Sequence, residues 1–174
     1  MDSQSIRIAI VSDTHSYIDP RILELVSTCH ATIHAGDIGS SYVLELLKLQ
    51  SNLVFAVAGN NDDEFKWQPS EVEVVNSLSD RQDIVLPGGK ISVEHGHTVR
   101  DTRRYHEVLR ERYPDSRAVI YGHTHVRVVD QSETPWVLNP GAAGRNRTRG
   151  GPSCLILEAE RQDWSVTEHY FQSR

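Results

Sequence analysis

Cysteine is scarce in this sequence, and the two copies, Cys29 and Cys154, are far apart. Without a C-x-x-C pair, neither a disulfide framework nor a thiolate zinc site is expected. Reduced thiols are typical of a cytoplasmic protein. The N-terminus also lacks a cationic segment followed by a long apolar run, which is the pattern of a signal peptide. We therefore predict a cytoplasmic location.

Long apolar runs and excess positive charge are missing as well. No run approaches the roughly 18 residues that span a membrane, so no membrane association is expected. The 18 Lys and Arg are outnumbered by 24 Asp and Glu, which gives a net charge of −6. This balance argues against binding nucleic acid through bulk charge. An anionic substrate would need local positive charge, from metal ions or from a few arginines.

The first part of the chain has a regular alternation of strand and helix patterns. The 174 residues, 38% of them hydrophobic, fit a single globular domain over residues 1–174. Short β-branched runs alternate with helical spacing, which predicts a parallel sheet with crossover helices. Pro20 is expected in the first turn of the first helix, and a serine is expected to cap the second. The segments are IRIAIV, PRILELVSTC, ATIHAG, SSYVLELLKLQ and NLVFAVAG.

The second half is richer in strands. RQDIVLPGGKISVEHG predicts a hairpin around a Gly-Gly turn, and DTRRYHEVLRERY predicts a charged helix. Mixed or antiparallel pairing is expected for the later strands. Those strands are RAVIYG, VRVVDQ, PWVLNPG, SCLILEAE and WSVTEHYFQ. The two halves together predict an α/β fold with two sheets packed face to face and helices outside.

Metal-ligating residue types follow five of the predicted strands, and sites in open α/β sheets lie beyond the carboxyl ends of strands. Taken singly, each residue has a structural explanation, because Asp and Asn cap helices and hold turns. Turn chemistry gives no reason for imidazoles at three of the five strand ends, whereas a metal site explains all of them. The residues are Asp13 and His15, Asp37, Asn60 with Asn61 and Asp62, His95 and His97, and His123 and His125.

The ligand types indicate two ions. Imidazoles, carboxylates and an amide oxygen suit Mn, Fe, Zn, Ni or Co. Seven candidates are too many for one tetrahedral zinc but suffice for two ions that share a bridging carboxylate. Two ions about 3.5–4 Å apart suit in-line displacement at phosphorus by a bridging hydroxide. A single-metal hydrolase with a protein base is the alternative. The candidate ligands are Asp13, His15, Asp37, Asn60, His95, His123 and His125.

The motifs DTH, GD, GNND, HGH and GHTH have the order and approximate spacing of the calcineurin-like metallophosphoesterases, and the sequence resembles that superfamily from about Ile8 to Gly144. The short length and GN-x-D resemble its small bacterial and archaeal phosphodiesterase subfamily, the YfcE type. LNPGAAG resembles the N-P-G-S loop of that subfamily. The resemblance implies a four-layer α/β/β/α sandwich of two mixed sheets flanked by helices.

The resemblance also implies a ligand set. One ion would be held by Asp13, His15, Asp37 and His125. The other would be held by Asp37, Asn60, His95 and His123, with Asp37 bridging. His95 is chosen over His97 because the ligand of the family is the first histidine of HGH. Catalytic roles are expected for Asn60, Asp62 and His97.

Two positions depart from the family pattern. Asn61 stands where the fuller G-N-H-D/E motif has a histidine that protonates the leaving group, and a missing general acid typically costs about 10²–10⁴-fold when the leaving group needs a proton. We therefore expect activity on diesters with good leaving groups and weak activity on alkyl monoesters. Ala142 replaces the serine of N-P-G-S, which removes one hydroxyl.

Further residues have two interpretations each. Arg145, Arg147 and Arg149 alternate after the N-P-G loop, so that in an extended segment all three would face one way, either as a solvated loop or as a phosphate clamp or subunit contact. His34 either orients a ligand or is a structural strand histidine. Trp67 either packs in the core or lines a pocket rim.

The predicted function is a dimetal phosphodiesterase that acts on a small phosphodiester. Manganese is the expected metal, with nickel, iron, zinc or cobalt as alternatives, and the subfamily implies a homodimer or homotetramer. The competing hypothesis is a non-catalytic metal-binding scaffold on the same fold, resembling the retromer subunit group, since a fold does not fix a function. Members of that group typically lose metal ligands, and this sequence keeps all seven positions.

Overall fold

The computed structural model describes residues 5–145 and 147–173, which form ten strands and four α-helices. The strands are β1 (Ile6–Val11), β2 (Ala31–His34), β3 (Leu53–Ala56), β4 (Arg81–Leu86), β5 (Gly89–Glu94), β6 (Ala118–Ile120), β7 (Arg127–Asp130), β8 (Trp136–Pro140), β9 (Ser153–Ala159) and β10 (Trp164–Tyr170). The helices are α1 (Pro20–Val26), α2 (Ser41–Gln50), α3 (Val72–Asn76) and α4 (Tyr105–Arg112).

The strands form two five-stranded sheets, each with parallel and antiparallel pairs. The first sheet has the order β10-β9-β1-β2-β3, in which β1, β2 and β3 are parallel and the two C-terminal strands are antiparallel. The second has the order β4-β5-β6-β8-β7, with β5, β6 and β8 parallel. The predicted parallel first half and mixed second half are confirmed. The β9–β10 pair, however, returns to the first sheet rather than extending the second.

Three groups of buried side chains hold four layers together. Ile8 and Ile33 of the first sheet pack with Ile91 and Ile120 of the second in a core between the sheets. A second group joins the outer face of the first sheet to α1 and α2, and a third joins the second sheet to α4. Each fully buried aliphatic side chain stabilises the fold by about 1.5–3 kcal/mol. The predicted α/β/β/α sandwich is confirmed.

Local signals placed most elements correctly, with some differences in detail. Asp19 caps α1 through the backbone N–H of Arg21, and Pro20 occupies the first turn as predicted. Ser40 occupies the N-cap position of α2, as expected, but its side chain makes no capping bond. The Glu71 carboxylate instead accepts from the N–H and hydroxyl of Ser41, at 2.7 and 2.6 Å.

The turn between β4 and β5 also differs from the prediction. Its two central residues are Pro87 and Gly88, since Leu86 pairs with Gly89 at the ends of the strands. Proline fixes a negative φ at the first turn position, and Gly88 adopts φ +82° at the second, which an L side chain rarely does. Neither the short 3₁₀ turn Pro69–Glu71 nor α3, which follows it, was predicted from the sequence.

None of the helices within residues 5–145 and 147–173 combines the length and the apolar character needed to cross a bilayer. The prediction that residues 1–174 form a single domain stays a prediction.

Candidate metal centre

The loops that follow β1, β2 and β6 have an unusual backbone. Asp13, His15, Asp37, His123 and His125 all adopt positive φ, between 46° and 65°. This left-handed region is disfavoured for residues with a side chain, at a typical cost of about 1–3 kcal/mol each. Backbone strain of this kind clusters where a site requires particular side-chain directions. The concentration of strain at three neighbouring strand ends indicates a functional site.

Backbone hydrogen bonds tie the first two of these loops together. Asp13 N–H donates to Gly36 O, and His15 N–H donates to Asp37 O, both at 3.0 Å. These bonds continue the parallel pairing of β1 and β2 beyond the ends of the strands. The two aspartates are thereby held side by side, as expected where parallel strands end at one edge.

His34 supports the same two loops from inside the sheet. Its Nδ1 accepts from Gly36 N–H at 3.2 Å, so the proton lies on Nε2, which donates to Thr14 Oγ1 at 2.9 Å. The Thr14 hydroxyl in turn donates to Ile38 O. Burial lowers the pKa of His34 to about 3, so this imidazole is neutral. Its contacts are structural and orient the loops.

The centre of the cluster contains buried polar atoms without hydrogen-bond partners. Asp13, Asp37 and His95 are each no more than 2% exposed. His95 Nδ1 donates to Ala35 O at 2.7 Å, which leaves the lone pair of Nε2 facing Asp37 Oδ1 at 3.4 Å and Asp13 Oδ1 at 3.9 Å. Neither His95 Nε2 nor Asp13 Oδ1 has a hydrogen-bond partner among the described residues. Burying such acceptors unpaired is costly, so positive charge stabilises them, either as a proton on His95 Nε2 or as a metal ion between them. His125 Nε2 also lies 3.2 Å from Asp13 Oδ1.

The electrostatics of the cluster also favour a positive charge. Burial lowers the pKa of His95, but the nearby Asp37 and Asp13 outweigh it and raise this pKa above its ordinary value. Burial likewise raises the pKa of Asp37, but His95 and Asn61 outweigh it and hold this pKa below the usual range. Both carboxylates and imidazoles are thus arranged for a cation, and the donor types suit a divalent transition metal.

Two overlapping groups of side chains have their donor atoms close enough to share an ion. One consists of Asp13, His15 and His125, and the other of Asp13, Asp37 and His95. Asp13 belongs to both groups, whereas the sequence implied Asp37 as the bridge. Asp37 also faces both sides, because its Oδ1 lies 3.4 Å from His95 Nε2 and its Oδ2 lies 3.8 Å from His15 Nε2. The cluster therefore has two carboxylates, those of Asp13 and Asp37, that two ions could share.

The predicted ligand His123 and the predicted catalytic residue His97 lie at the outer side of the cluster. The exposed His123 ring lies 5.3 Å from that of His95, and its backbone N–H donates to Asp13 Oδ2 at 3.1 Å. His97 is exposed, with its ring 5.6 Å from that of His95. Burial lowers the pKa of His123, of His97 and of His15. All three imidazoles are therefore mainly neutral near pH 7, as metal ligation requires.

The GNND loop contributes in a way that the sequence did not predict. Asn61 donates to Asp37 twice, from its backbone N–H to Oδ1 at 2.8 Å and from its side-chain Nδ2 to Oδ2 at 2.7 Å. The exposed Asn60 has its carbonyl oxygen bonded to Lys66 Nζ. Asn61 thus orients the carboxylate that faces both sides of the cluster. Asn61 directly follows the candidate ligand Asn60 in the sequence, and that position alone does not predict its contact with Asp37.

Asp62 fastens the loops to each other rather than pointing at the cluster. Its carboxylate accepts from the backbone N–H groups of Ile38, Gly39 and Gly59 and from Trp67 Nε1, at distances of 2.9 to 3.1 Å. Four N–H donors stabilise a carboxylate strongly, since charge-assisted hydrogen bonds are the strong ones. Trp67 is buried, so its packing interpretation holds.

Comparison with known proteins identifies the family. The model of the calcineurin-like phosphoesterase superfamily domain matches residues 6–162. A phosphodiesterase of Methanocaldococcus jannaschii is 31% identical over 170 residues, which cover 91% of this chain and 96% of that protein. The chain belongs to the calcineurin-like phosphoesterase superfamily. It is accordingly a hydrolase of the metallophosphoesterase type, and divalent metals are the cofactors of this superfamily.

Solved structures of the superfamily fold agree with this assignment. A structure described as that of a novel archaeal phosphodiesterase is 26% identical, with a TM-score of 0.70, and the match covers 94% of this chain and 100% of that one. Vacuolar Protein Sorting 29 from Cryptosporidium parvum reaches a TM-score of 0.75 at 20% identity, over 99% and 100% of the two chains. The second likeness shows the shared fold alone.

Within this superfamily fold, the N-P-G segment holds the GHTH loop in place through side-chain hydrogen bonds. Asn139 Nδ2 donates to Gly122 O at 2.8 Å and to Thr124 Oγ1 at 3.1 Å. Gly122 has no room for a side chain, since a Cβ there would lie 2.0 Å from Ser12 Oγ and 2.8 Å from Asp13 Oδ2. Gly122 is not among the glycines with positive φ, so crowding is the reason for a glycine at this position. Ala142, the other departure from the motif, is buried.

The arginines after the N-P-G loop do not share one direction. The segment is not extended, because Arg147 adopts φ 51°. Arg145 stacks on the Tyr17 ring at 3.7 Å, away from the cluster, whereas Arg147 Nη2 lies 3.4 Å from His125 Nε2. The condition under which all three would face one way is therefore not met, and Arg147 and Arg149 line one pocket whereas Arg145 lines another.

Proposed function

We propose that this phosphoesterase is a dimetal phosphodiesterase. The observation that carries the proposal is the buried convergence of Asp13 Oδ1, Asp37 Oδ1 and His95 Nε2, of which the first and the last have no hydrogen-bond partner among the described residues. Two bound divalent ions would supply a nucleophile derived from water and would neutralise the charge of the phosphoryl oxygens during in-line displacement.

The chain itself holds and orients the ligands in this proposal. One ion would be bound by Asp13, His15, Asp37 and His125, and the other by Asp37, Asn60, His95 and His123. The His95 ring is fixed by Ala35 O, which sets the tautomer that leaves Nε2 free for an ion. Asn61 holds Asp37 through two hydrogen bonds, and Asp62 anchors the loops on both sides.

The side chains at the leaving-group side determine the expected substrates. Asn61 stands where the family has a histidine, and an amide does not supply a proton to a leaving group. Diesters with good leaving groups, such as aryl esters, are therefore the favoured class, and alkyl monoesters are poor substrates. His97 lies next to His95 and His123 and is proposed to contact the phosphate from the rim.

Turnover of defined esters tests the function. We expect metal-dependent hydrolysis of bis-p-nitrophenyl phosphate, and a rate for glycerol phosphate that is lower by about 10²-fold or more. Manganese is the proposed metal, to be compared with nickel, iron, zinc and cobalt. Faster turnover of the alkyl monoester would contradict the proposal. Two bound ions without turnover of any diester would favour the non-catalytic scaffold, and one ion at saturation would favour a single-metal hydrolase.

Three further properties belong to the same proposal. The protein is proposed to act in the cytoplasm on a small phosphodiester, without bulk binding to nucleic acid. It is proposed to work as a single domain that assembles into a homodimer or homotetramer. Analytical ultracentrifugation of the metal-loaded protein would measure the assembly state directly.

A further inference from the structure

A guanidinium group lies against the side of the cluster that is formed by His15 and His125. His125 Nε2 is the ring atom that faces the cluster, since it lies 3.2 Å from Asp13 Oδ1 and 3.4 Å from His15 Nε2. Arg147 Nη2 lies 3.4 Å from this same atom. A guanidinium has N–H donors and no acceptor, so the contact uses the lone pair of His125 Nε2. The positive charge of Arg147 therefore reaches the atoms that are proposed to bind one of the ions.

The loop that carries Arg147 is anchored on both sides of it. Before Arg147, the guanidinium carbon of Arg145 lies 3.7 Å from the centroid of the Tyr17 ring. After it, the buried Gly151 packs so closely that a Cβ would lie 1.8 Å from Phe171 O. Between these anchors Arg147 adopts φ 51°, in the left-handed region that residues with a side chain disfavour. Such strain persists only where the surroundings impose it, so the fold itself directs Arg147 toward His125.

The electrostatics agree with this placement. Burial is the main cause of the lowered pKa of His15, and the charges of His125 and Arg147 lower it further, against the carboxylates of the cluster. Arg147 also lines a pocket of about 570 Å³ next to His125, and no aspartate or glutamate is among the described residues that line it. The pocket is therefore positive where it meets the cluster, which suits a phosphoryl group.

The contact with Arg147 and metal binding exclude each other at His125. Nε2 of a neutral imidazole has one lone pair, and both the guanidinium and a metal ion require it. Arg147 is exposed and has the pocket beside it, so its guanidinium has room to turn away from His125. Its N–H groups are then available in the pocket, next to the proposed position of the phosphoryl group. A guanidinium can donate to two phosphoryl oxygens at once.

We infer that Arg147 binds the phosphoryl group of the substrate and becomes available for this role when His125 binds a metal ion. In the metal-free protein the guanidinium rests on His125 Nε2 and competes with the ion for that atom. The inference rests on the proposed phosphodiesterase function and adds a substrate-binding residue to it. A guanidinium stabilises negative charge without supplying a proton, which agrees with the preference for good leaving groups drawn from Asn61.

Metal binding is the first test, because it requires no turnover. Calorimetric titration of the metal-free protein with Mn²⁺ should show about three- to tenfold tighter binding in Arg147→Met, which removes the competing charge. Arg149→Met is the matched control, since it removes the same charge from the lining of the same pocket, and its affinity should stay within about twofold of wild type. Equal affinities in wild type and Arg147→Met, or the same gain in both variants, would overturn the competition for His125.

Phosphate binding to the Mn²⁺-loaded protein should change in the opposite direction. Inorganic phosphate should bind about tenfold more weakly to Arg147→Met than to wild type, the loss of one charge-assisted contact. For Arg149→Met the loss should be less than about threefold. Arg147→Lys keeps the charge without the planar pair of donors, and it should weaken binding by about threefold. Unchanged phosphate affinity in Arg147→Met would overturn the inference.

Kinetics separate this inference from the proposed function. With bis-p-nitrophenyl phosphate, Arg147→Met should lower kcat/KM by about tenfold, mainly through a higher KM. If both binding shifts are present but no metal supports hydrolysis of any diester, the proposed function fails and the assignment of Arg147 stands. If diesters are hydrolysed and Arg147→Met keeps the wild-type KM, the assignment of Arg147 fails and the proposed function stands.

Discussion

The two sheets supply different chemistry to the same cluster. The first sheet contributes both carboxylates, Asp13 and Asp37, which are buried and tied to each other through backbone hydrogen bonds. The second sheet contributes three imidazoles, of which His95 is buried but His123 is exposed. His15 is the one imidazole among the candidate ligands that comes from the first sheet.

The difference shows how the site divides its tasks. Negative charge for the cations lies at depth, where low dielectric strengthens its attraction and where the loops cannot move away. Of the imidazoles, His15 and His123 lie toward the outside, and His123 lines the adjoining pocket. His95 and His125 are buried with the carboxylates. Substitutions in the first sheet should therefore change metal affinity and the stability of the metal-free protein together, whereas substitutions at the outer imidazoles should change metal binding alone.

Asp13→Asn should have the largest effect on activity. Turnover should fall by about 10³-fold, because a charge that would offset the two proposed cations is removed. The metal-free protein should become more stable by about 1–3 kcal/mol, since Asp13 Oδ1 is a buried acceptor without a hydrogen-bond partner among the described residues. Chemical denaturation in a chelator and metal analysis after reloading measure the two effects. A metal-free variant that is less stable than wild type would contradict the account of the buried carboxylate.

His123→Ala should have a smaller effect, confined to metal binding. Bound metal should drop from two ions toward one, with about 10²-fold lower turnover, while the stability of the metal-free protein should change by less than about 0.5 kcal/mol because the ring is exposed. His97→Ala is the matched control, since His97 is an exposed imidazole beside the same His95. If His97→Ala loses metal and His123→Ala does not, the two assignments must be exchanged.

Asp62→Asn should act through loop structure and have the smallest effect on the chemistry. An amide NH₂ would face N–H donors in place of a carboxylate oxygen, and the free energy of unfolding should fall by about 2–3 kcal/mol. Asp63→Asn in the same loop is the control, because the Asp63 side chain is 41% exposed and its surface ion pair with Lys66 contributes little to stability. Similar losses in the two variants would rule out a special role for the Asp62 carboxylate.

The fold could be predicted from the sequence because the strand patterns, the helix signals and the polar residues at strand ends all indicated the same architecture. Apolar runs of strand length, Pro20 at a helix start and polar residues at strand ends are local signals, and they located most elements and the positions that converge. The return of β9 and β10 to the first sheet is a long-range pairing, with Ile8 opposite Leu157, that no local pattern encodes. The Glu71 cap of α2 is likewise made across a long sequence separation.

The residues of the candidate site were easier to find than their contacts. Chemistry-bearing residues such as Asp13 and His125 stand out by type and spacing. Asn61, by contrast, was judged only as a missing histidine, because its two bonds to Asp37 depend on how the third loop folds over the second. The directions of Arg145 and Arg147 also depended on backbone torsions that the alternation of residue types does not determine.

The position of β1 between β2 and β9 has a consequence for how the protein acquires its metal. During translation, the site residues from Asp13 to His125 are synthesised before β9 (Ser153–Ala159). β9 is the strand that pairs with the other edge of β1. Contacts across such sequence separations form slowly, and chains that lack them expose apolar strand edges. The complete sheet beneath the two carboxylates can therefore exist only once translation has passed β9. Metal loading is expected to follow synthesis, and ions added to a nascent chain stalled before Ser153 should bind weakly.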